Sequence, residues 1–517
     1  GRGRDERARG GGAAMKALGS TFQPYRWAPT TLELARRAGI DPVQLMRFDG
    51  NVPPLPLPSS RPATVAAALA TVNEYPRALY PVLTDAIAAY AGVAPENVVL
   101  GAGADDLILL VARAFAGPGD VVAIADAPTY SLYQVAAELA GAHLGEDDRV
   151  LTFCCRPNNP TGALDPLPDA RPLVVDEAYW EFSGAPGAVG LIDDGVIVLR
   201  TFSKAFALAG ARVGYALASV ETAAELNARQ APAPVSSLSA ALALAALASP
   251  PDLGSTLEER ERLAAELRSL GYAPLPSYGS FLFVPVDEPR ELADALLARG
   301  CVVRVYDDGV RITVHDREDD DLLLAAFRGE EAPQGRRIRH VRATAETQLR
   351  VRLDLDGESR VRVATGAGLY DHFLEQLAFH GGLDLILEGT GDAETGPHHA
   401  AEDAAIALGE ALDRALGDRR GIARYGDAVV PMDDALARAA VDLGGRRASV
   451  LDLQLDPGLA KHMLQSLADS GRMCIHVEAT GEDPHHVAEA AFKAVGRALR
   501  AALRPEGSLV PSTKGIL

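Results

Sequence analysis

The sequence predicts an α/β domain with a mostly parallel sheet and a small α+β subdomain, followed by an α+β domain built from two duplicated halves. Three observations carry this. From Leu100 to about Phe327, short apolar runs alternate with Ala/Leu-rich stretches, the pattern of strands joined by crossover helices. Gly329-Glu330-Glu331-Ala332-Pro333-Gln334-Gly335 then breaks all periodicity. Beyond it, His398-His399-Ala400-Ala401-Glu402 recurs as His485-His486-Val487-Ala488-Glu489, and Gly409 and Leu412 are answered by Gly496 and Leu499. The expected boundaries are a disordered arm over 1–20, a first domain over 21–328, a linker over 329–336 and a second domain over 337–517.

Each element follows from its residues. Gly1 to Gly12 is Arg/Gly-rich and lacks the apolar middle of a signal peptide. Met15 is the first plausible start, so the residues before it are expected to be foreign to the natural product. Helix-rich arms, Thr64 to Tyr90 and Leu257 to Leu270, flank the sheet region. Val121–Ile124, Leu173–Val175 and Val196–Leu199 read as buried strands ending in polar or small residues. From about Phe281 the pattern becomes a small α+β unit. Ile338 to Asp356 and Arg360 to Thr365 alternate apolar with polar, as half-exposed antiparallel strands do. The repeated His-His motifs open two matching amphipathic helices.

Composition narrows the function. A chain of 517 residues exceeds one ordinary domain. Its 48% apolar and 23% charged content is that of a globular protein, without a run of 18 apolar residues. Four cysteines (Cys154, Cys155, Cys301, Cys474) do not make a disulfide framework, which predicts a reducing compartment, the cytoplasm. A formal charge of −20 argues against nucleic-acid and anionic-membrane partners and leaves small molecules, including anions held in locally basic pockets.

The densest chemistry in the first domain is Arg200-Thr201-Phe202-Ser203-Lys204-Ala205-Phe206, with Arg212 downstream and Asn158-Asn159-Pro160-Thr161-Gly162 and Asp176-Glu177-Ala178-Tyr179 upstream. An aspartate ending an apolar strand, then Ser-Lys, suits pyridoxal phosphate. The lysine amine forms a Schiff base with the cofactor aldehyde. The carboxylate pairs with the ring nitrogen and keeps it protonated. Thr201, Ser203 and Arg212 offer hydroxyls and a guanidinium to a phosphate, and Gly101-Ala102-Gly103-Ala104-Asp105-Asp106 offers free N–H groups at a strand-to-helix turn.

Residues from about Tyr25 to Phe327 resemble a fold-type I aminotransferase of the histidinol-phosphate group. The resemblance rests on Arg47-Phe48-Asp49-Gly50-Asn51, Glu74-Tyr75-Pro76, the glycine turn, Pro128-Thr129-Tyr130 and the motifs above. It implies Lys204 as the catalytic lysine, Asp176 at the ring nitrogen and Tyr130 stacked on the ring. It further implies Asn159 and Tyr179 on the ring hydroxyl, and Ala104, Asp105, Thr201, Ser203 and Arg212 around the phosphate. Tyr75 would reach the neighbouring subunit's cofactor in a dimer, while Asn51, Arg304 and Arg311 would bind substrate.

In the second domain, His398 and Glu402, or His399 and Glu402, share a helix face, whereas adjacent histidines diverge by about 100° and serve different ions. Two such helices, with His372 and His476 as further ligands, make mixed N/O sites suited to Mn, Fe, Co or Zn. Residues from about Arg336 to Leu517 closely resemble imidazoleglycerol-phosphate dehydratase. The matching phrases are Ala345-Glu346-Thr347, Thr365 to His372, His380-Gly381, both His-His motifs, Pro431 to Leu436, Phe492-Lys493 and Pro511 to Gly515. This implies two Mn(II) ions, one taking His398, Glu402, His476 and His485, the other His372, His399, His486 and Glu489. The duplication also aligns His462 with His372, making His462 the runner-up ligand. Glu346 and Glu489 are the implied proton-transfer groups, and Gln376, Arg424, Arg446, Lys493, Ser512 and Lys514 the implied substrate-phosphate contacts. The two resemblances imply successive steps of histidine biosynthesis acting on imidazoleglycerol phosphate, imidazole acetol phosphate and glutamate. They also imply a homo-oligomer that combines aminotransferase dimers with dehydratase trimers. The alternatives are a first domain that is an aromatic or other aminotransferase, or a pyridoxal decarboxylase; a cofactor-binding regulator; or a second domain that only stores metal.

Overall fold

The computed structural model describes residues 28–40, 42, 45–52, 67–70, 72–330, 336–344, 346–391, 396–455 and 458–512. The expected N-terminal arm, most of the linker and Lys514 therefore lie outside the described residues. The chain divides into two units. The first contains Arg47–Leu297 and Cys301–Arg328; the second contains Gly329–Leu517, and the short segments Thr31–Met46 and Ala298–Gly300 group with it.

The first unit is built on a seven-stranded sheet. Its strands are β1 (Val98–Gly101), β2 (Val121–Ile124), β3 (His143–Leu144), β4 (Arg149–Cys155), β5 (Leu173–Asp176), β6 (Val196–Thr201) and β7 (Gly214–Leu217), in the order β1-β7-β6-β5-β4-β2-β3. Pairs β3/β2, β2/β4, β4/β5 and β5/β6 are parallel, and β7 runs antiparallel to both its neighbours. Parallel strands need covered faces, and every residue of β5 and β6 is buried. The two-residue period sorts their side chains. Leu173, Val175 and Val198 join one apolar layer, while Val174, Ile197 and Leu199 join the layer on the other face. Each such side chain contributes about 1.5–3 kcal/mol of burial. Helix α1 (Ala104–Phe115) packs on the second layer through Leu107, Ile108 and Val111. The subdomain adds an antiparallel sheet of β8 (Phe281–Pro285), β9 (Arg304–Tyr306) and β10 (Gly309–Thr313). Asp176 and Thr201 are the last residues of β5 and β6, so both stand at the carboxyl edge where open α/β sheets hold ligands.

The second unit repeats one plan. In the first half, β11 (Arg337–Ala343), β12 (Thr347–Asp354), β13 (Val361–Ala364) and β14 (Asp384–Gly391) form a sheet of order β11-β12-β14-β13, with helices α2 (Leu369–Gly381) and α3 (His398–Leu416). In the second half, β15 (Tyr425–Met432), β16 (Ala435–Asp442), β17 (Ala448–Leu453) and β18 (Cys474–Thr480) form β15-β16-β18-β17, with α4 (Ala460–Ser470) and α5 (Pro484–Leu503). The hairpin over Ile338 to Asp356 is antiparallel as expected, but β13 pairs parallel to β14, against the antiparallel expectation for Arg360 to Thr365. The reason is the connection: α2 lies between β13 and β14 in sequence, and a helical crossover returns the chain in the same direction.

Helices of different halves pack together, α2 on α5 and α3 on α4. Both crossings depend on a glycine. A Cβ on Gly496 would stand 2.3 Å from the Leu377 carbonyl oxygen, and one on Gly409 would stand 2.0 Å from Ser470 Oγ and 2.8 Å from Gly471 N. The repeated glycines seen in the sequence therefore mark two equivalent close approaches.

Candidate active sites

In the first unit the turn after β1 prepares an anion cradle. Gly103 has φ +87°, and a Cβ there would sit 2.7 Å from Arg212 Nη2. Ala104 opens α1, leaving first-turn N–H groups free of helical partners. Close by, Thr201 Oγ1 donates to Ser203 Oγ at 3.0 Å, and Ser203 N donates to Thr201 Oγ1 at 3.1 Å. Arg212 Nη2 donates to Asp105 Oδ2 at 2.8 Å, and Tyr130 Oη donates to Asp105 Oδ1 at 3.0 Å. Asp105 thus holds Arg212 and Tyr130 in place.

At the strand ends, Asp176 accepts from Tyr133 Oη at 2.7 Å and from Ala178 N at 3.0 Å. Burial pushes this carboxyl up to about 6 despite both donors. Burial, then the Arg311 charge, lowers the Lys204 amine to about 8. The Lys204 Nζ lies 5.4 Å from the centroid of the Tyr179 ring. Asn51 Nδ2 donates to Tyr179 Oη at 2.9 Å. Arg311 donates to Asn159 Oδ1, to Tyr306 Oη at 3.0 Å and to the Asp49 carbonyl at 2.9 Å. Arg304 is the β9 partner of Arg311 across the pair. Tyr75 is 93% exposed and outside this cluster. The residues fit pyridoxal phosphate: an amine lowered by burial, a buried carboxyl raised by burial, and an N–H and hydroxyl cradle. Sequence reasoning missed Tyr133, fully buried against Phe153, and gave no role to Asn158, which Thr129 engages at 2.6 Å. It also missed the buried Arg200–Glu177 pair at 2.9 Å, beneath which Trp180 packs.

In the second unit, two clusters each combine two histidines and a glutamate, with ligating atoms all within 4.8 Å. One joins His372 of α2 to His485 and Glu489 of α5; the other joins His398 and Glu402 of α3 to His462 of α4. The same two separations occur in both, exchanged between the equivalent histidines. Glu489 lies 3.7 Å from His372 Nε2 and 3.2 Å from His485 Nε2, and Glu402 lies 3.7 Å from His398 Nε2 and 3.2 Å from His462 Nε2. Neutral imidazole with one carboxylate and open positions fits a borderline divalent transition metal.

Within one chain this arrangement differs from the grouping expected from the sequence. His462, the runner-up, fills the place given to His476. His476 lies on the exposed face of β18, because Ile475 and Val477 turn to the core and adjacent residues of a strand point oppositely. His485 joins His372 rather than His398. His399 and His486 enter neither cluster, since neighbouring helical residues diverge. His399 Nδ1 is 3.5 Å from Glu346 Oε2, and His486 Nδ1 is 2.5 Å from Asp434 Oδ1.

Of the expected phosphate contacts, Lys493 stands one turn beyond Glu489 and pairs with it at 2.8 Å. Gln376 stands one turn beyond His372. Arg424 is held by Asp442 at 2.7 Å and donates to the Pro511 carbonyl at 2.8 Å, which brings the end of the described chain, with half-buried Ser512, beside it. Arg446 is exposed.

Comparison with known proteins agrees with this division. Residues 43–146 and 143–327 match the family described as aminotransferase class I and II, and residues 365–499 match imidazoleglycerol-phosphate dehydratase. The imidazoleglycerol-phosphate dehydratase of Methanococcoides burtonii is 45% identical over 190 residues, 35% of this chain and 100% of that protein. That of Methanothermobacter thermautotrophicus is 48% identical over 190 residues, 35% of this chain and 98% of that protein. The crystal structure of histidinol-phosphate aminotransferase from Sinorhizobium meliloti, in complex with pyridoxal-5'-phosphate, superposes with a TM-score of 0.54 at 27% identity, covering 61% of this chain and 99% of that one.

Proposed function

This chain belongs to the class I and II aminotransferases over its first part and to the imidazoleglycerol-phosphate dehydratases over its last, and from that premise we propose that it catalyses two successive steps of histidine biosynthesis. The second domain dehydrates imidazoleglycerol phosphate to imidazole acetol phosphate with two Mn(II). The first transaminates that ketone with glutamate, using pyridoxal phosphate, and releases histidinol phosphate. The observation that carries the reading is the pair of matched His-His-Glu clusters on the chain that also holds Lys204 beside Asp176.

When bound, the metals supply positive charge that lets the substrate imidazole ring ionise, so that a C–H bond with no adjacent carbonyl becomes acidic. Glu346, exposed at 54% and close to His399, moves the proton. Gln376, Arg424, Arg446, Lys493, Ser512 and Lys514 orient the phosphate, which fixes which carbon faces Glu346. In the first domain the cofactor supplies an electron sink. Lys204, with an amine near 8, carries the proton between substrate carbon and cofactor at working pH. Asp176 would hold the cofactor's ring nitrogen, whose positive charge would relieve the burial of the carboxylate. Arg311 and Arg304 bind substrate anions, and Asn51 holds Tyr179 toward the ring hydroxyl.

His399 and His486 turn away from their own chain's clusters, which supports a dehydratase assembly in which they complete sites on neighbouring copies. Tyr75, exposed, is assigned to a partner's cofactor in an aminotransferase dimer. The cytoplasm is the proposed compartment; among the described residues no helix is long and apolar enough to cross a membrane. The test is one incubation of purified protein with imidazoleglycerol phosphate, Mn(II), pyridoxal phosphate and glutamate. Histidinol phosphate is the expected product. Accumulation of the ketone alone removes the aminotransferase assignment, and unchanged substrate removes the dehydratase assignment.

A further inference from the structure

The hairpin turns of the duplicated domain carry a second correspondence, outside the ligand clusters. Glu346 immediately precedes β12, the second strand of the first hairpin, and Asp434 immediately precedes β16, the second strand of the other. Each carboxylate faces Nδ1 of the second histidine in a His-His-x-x-Glu motif: Glu346 faces His399 and Asp434 faces His486. The positions are equivalent, but the engagement is not. Asp434 is committed on both oxygens. Its Oδ2 accepts from Glu482 N at 2.6 Å and Asp483 N at 3.0 Å, and its Oδ1 meets His486 Nδ1 at 2.5 Å. Glu346 is more exposed, 54% against 30% for the Asp434 side chain, and its approach to His399 Nδ1 is 3.5 Å, beyond a strong hydrogen bond.

We propose that the two turn carboxylates have divided the work: Asp434 is a positioning residue that fixes the tautomer and ring orientation of His486 for metal binding, while Glu346 stays free to move protons. This rests on the dehydratase reading above. The chemistry is that of an outer-shell carboxylate. A carboxylate can only accept, so His486 must carry its proton on Nδ1, which leaves the Nε2 lone pair for a metal. Nε2 lies 3.7 Å from Oδ2 of the exposed Asp433. Anchoring by the Glu482 and Asp483 N–H groups ties the turn to the start of α5, so the ring is held from both ends of the loop.

The decisive variant is Asp434→Asn. Its remaining carbonyl oxygen can still accept from Glu482 and Asp483, which preserves the turn. Its NH2 group presents a donor to His486 Nδ1 and drives the ring proton to Nε2, where it blocks a metal. The measurement is Mn(II) affinity and stoichiometry by electron paramagnetic resonance on the full-length protein, alongside the unfolding midpoint. Expected for Asp434→Asn is one class of Mn(II) site weakened by about 10–100-fold with an unchanged midpoint. Asp434→Glu, which restores an acceptor, should recover most of that affinity. Expected for Glu346→Gln is normal Mn(II) binding with turnover reduced by roughly 10²–10⁴-fold. Wild-type Mn(II) affinity in Asp434→Asn overturns the proposal, as does a Glu346→Gln variant that loses metal to the same extent. Metal counting does not require turnover. A wild-type protein that binds Mn(II) but does not dehydrate imidazoleglycerol phosphate would therefore sink the dehydratase reading while leaving this result interpretable.

Discussion

The halves of the second domain share one strand order and one pair of helices, and in both clusters the histidines lie 3.2–3.7 Å from the glutamate, yet their hairpin turns differ. Duplication has thus held constant the part that must grip a metal and let the surrounding carboxylates diverge. The lesson is about constraint. A ligand triad drawn from two packed helices tolerates little movement, because the helices meet at glycine and the close contact fixes their spacing. A residue on a turn touches fewer neighbours and changes role at lower cost.

The largest expected effect breaks the symmetry outright. His485→Ala and His398→Ala each remove one cluster, so each should lower bound metal by one class of site and reduce dehydration by roughly 10²–10⁴-fold, corresponding to several kcal/mol of barrier. Unequal losses would show that one cluster dominates the chemistry. Transamination of added imidazole acetol phosphate should be untouched in both, whereas Lys204→Ala should abolish it and spare dehydration; coupled enzyme assays separate these outcomes.

A smaller effect sharpens the comparison at the helix crossings. Gly409→Ala and Gly496→Ala each push a methyl into neighbouring backbone and cost about 1–3 kcal/mol of overpacking, offset by up to ~1 kcal/mol of helix propensity. The paired geometry predicts similar losses, read as shifts in the second domain's denaturation midpoint; a large loss in one alone would show that one crossing relaxes more easily.

The first domain supplies the contrast of a site built once. Asp176 titrates near 6 when folded and near 3.8 when unfolded, so the folded apo form holds the extra proton between these values. Stability should therefore fall as pH rises from about 4 to 6, by an amount on the order of 3 kcal/mol. Lys204 works in the opposite direction. Its folded value near 8 lies below the usual 10.5, so the unfolded chain binds the extra proton and stability rises as pH climbs through 8 to 10.5. Denaturation of apo-protein against pH checks both. Added pyridoxal phosphate should remove the loss between pH 4 and 6, because a cationic ring nitrogen compensates Asp176.

Much of this was legible in the chain. The order Asn158-Asn159, Asp176, Ser203-Lys204 and the doubled His-His motif name their chemistry because each is local: the residues sit on one turn or at one strand end. The metal grouping is not local, and there one chain's clusters differ from the reading. His462 has no motif around it, since its partners lie on α3, some sixty residues earlier in sequence. One signal was available. Ile475 and Val477 flank His476 as apolar neighbours in a strand, and alternation alone sends His476 to the outer face. The parallel pairing of β13 was hidden for a similar reason, because alternation reports which face a residue takes and not the direction of the neighbouring strand.

Each cluster borrows from both halves, the short helix of one and the long helix of the other. One half expressed by itself could not close either triad unless two identical copies met face to face, each lending its short helix to the other. The repeat is in that sense a homodimer written into one polypeptide. Covalent fusion removes the need for the copies to stay alike, and the hairpin turns are one place where they differ.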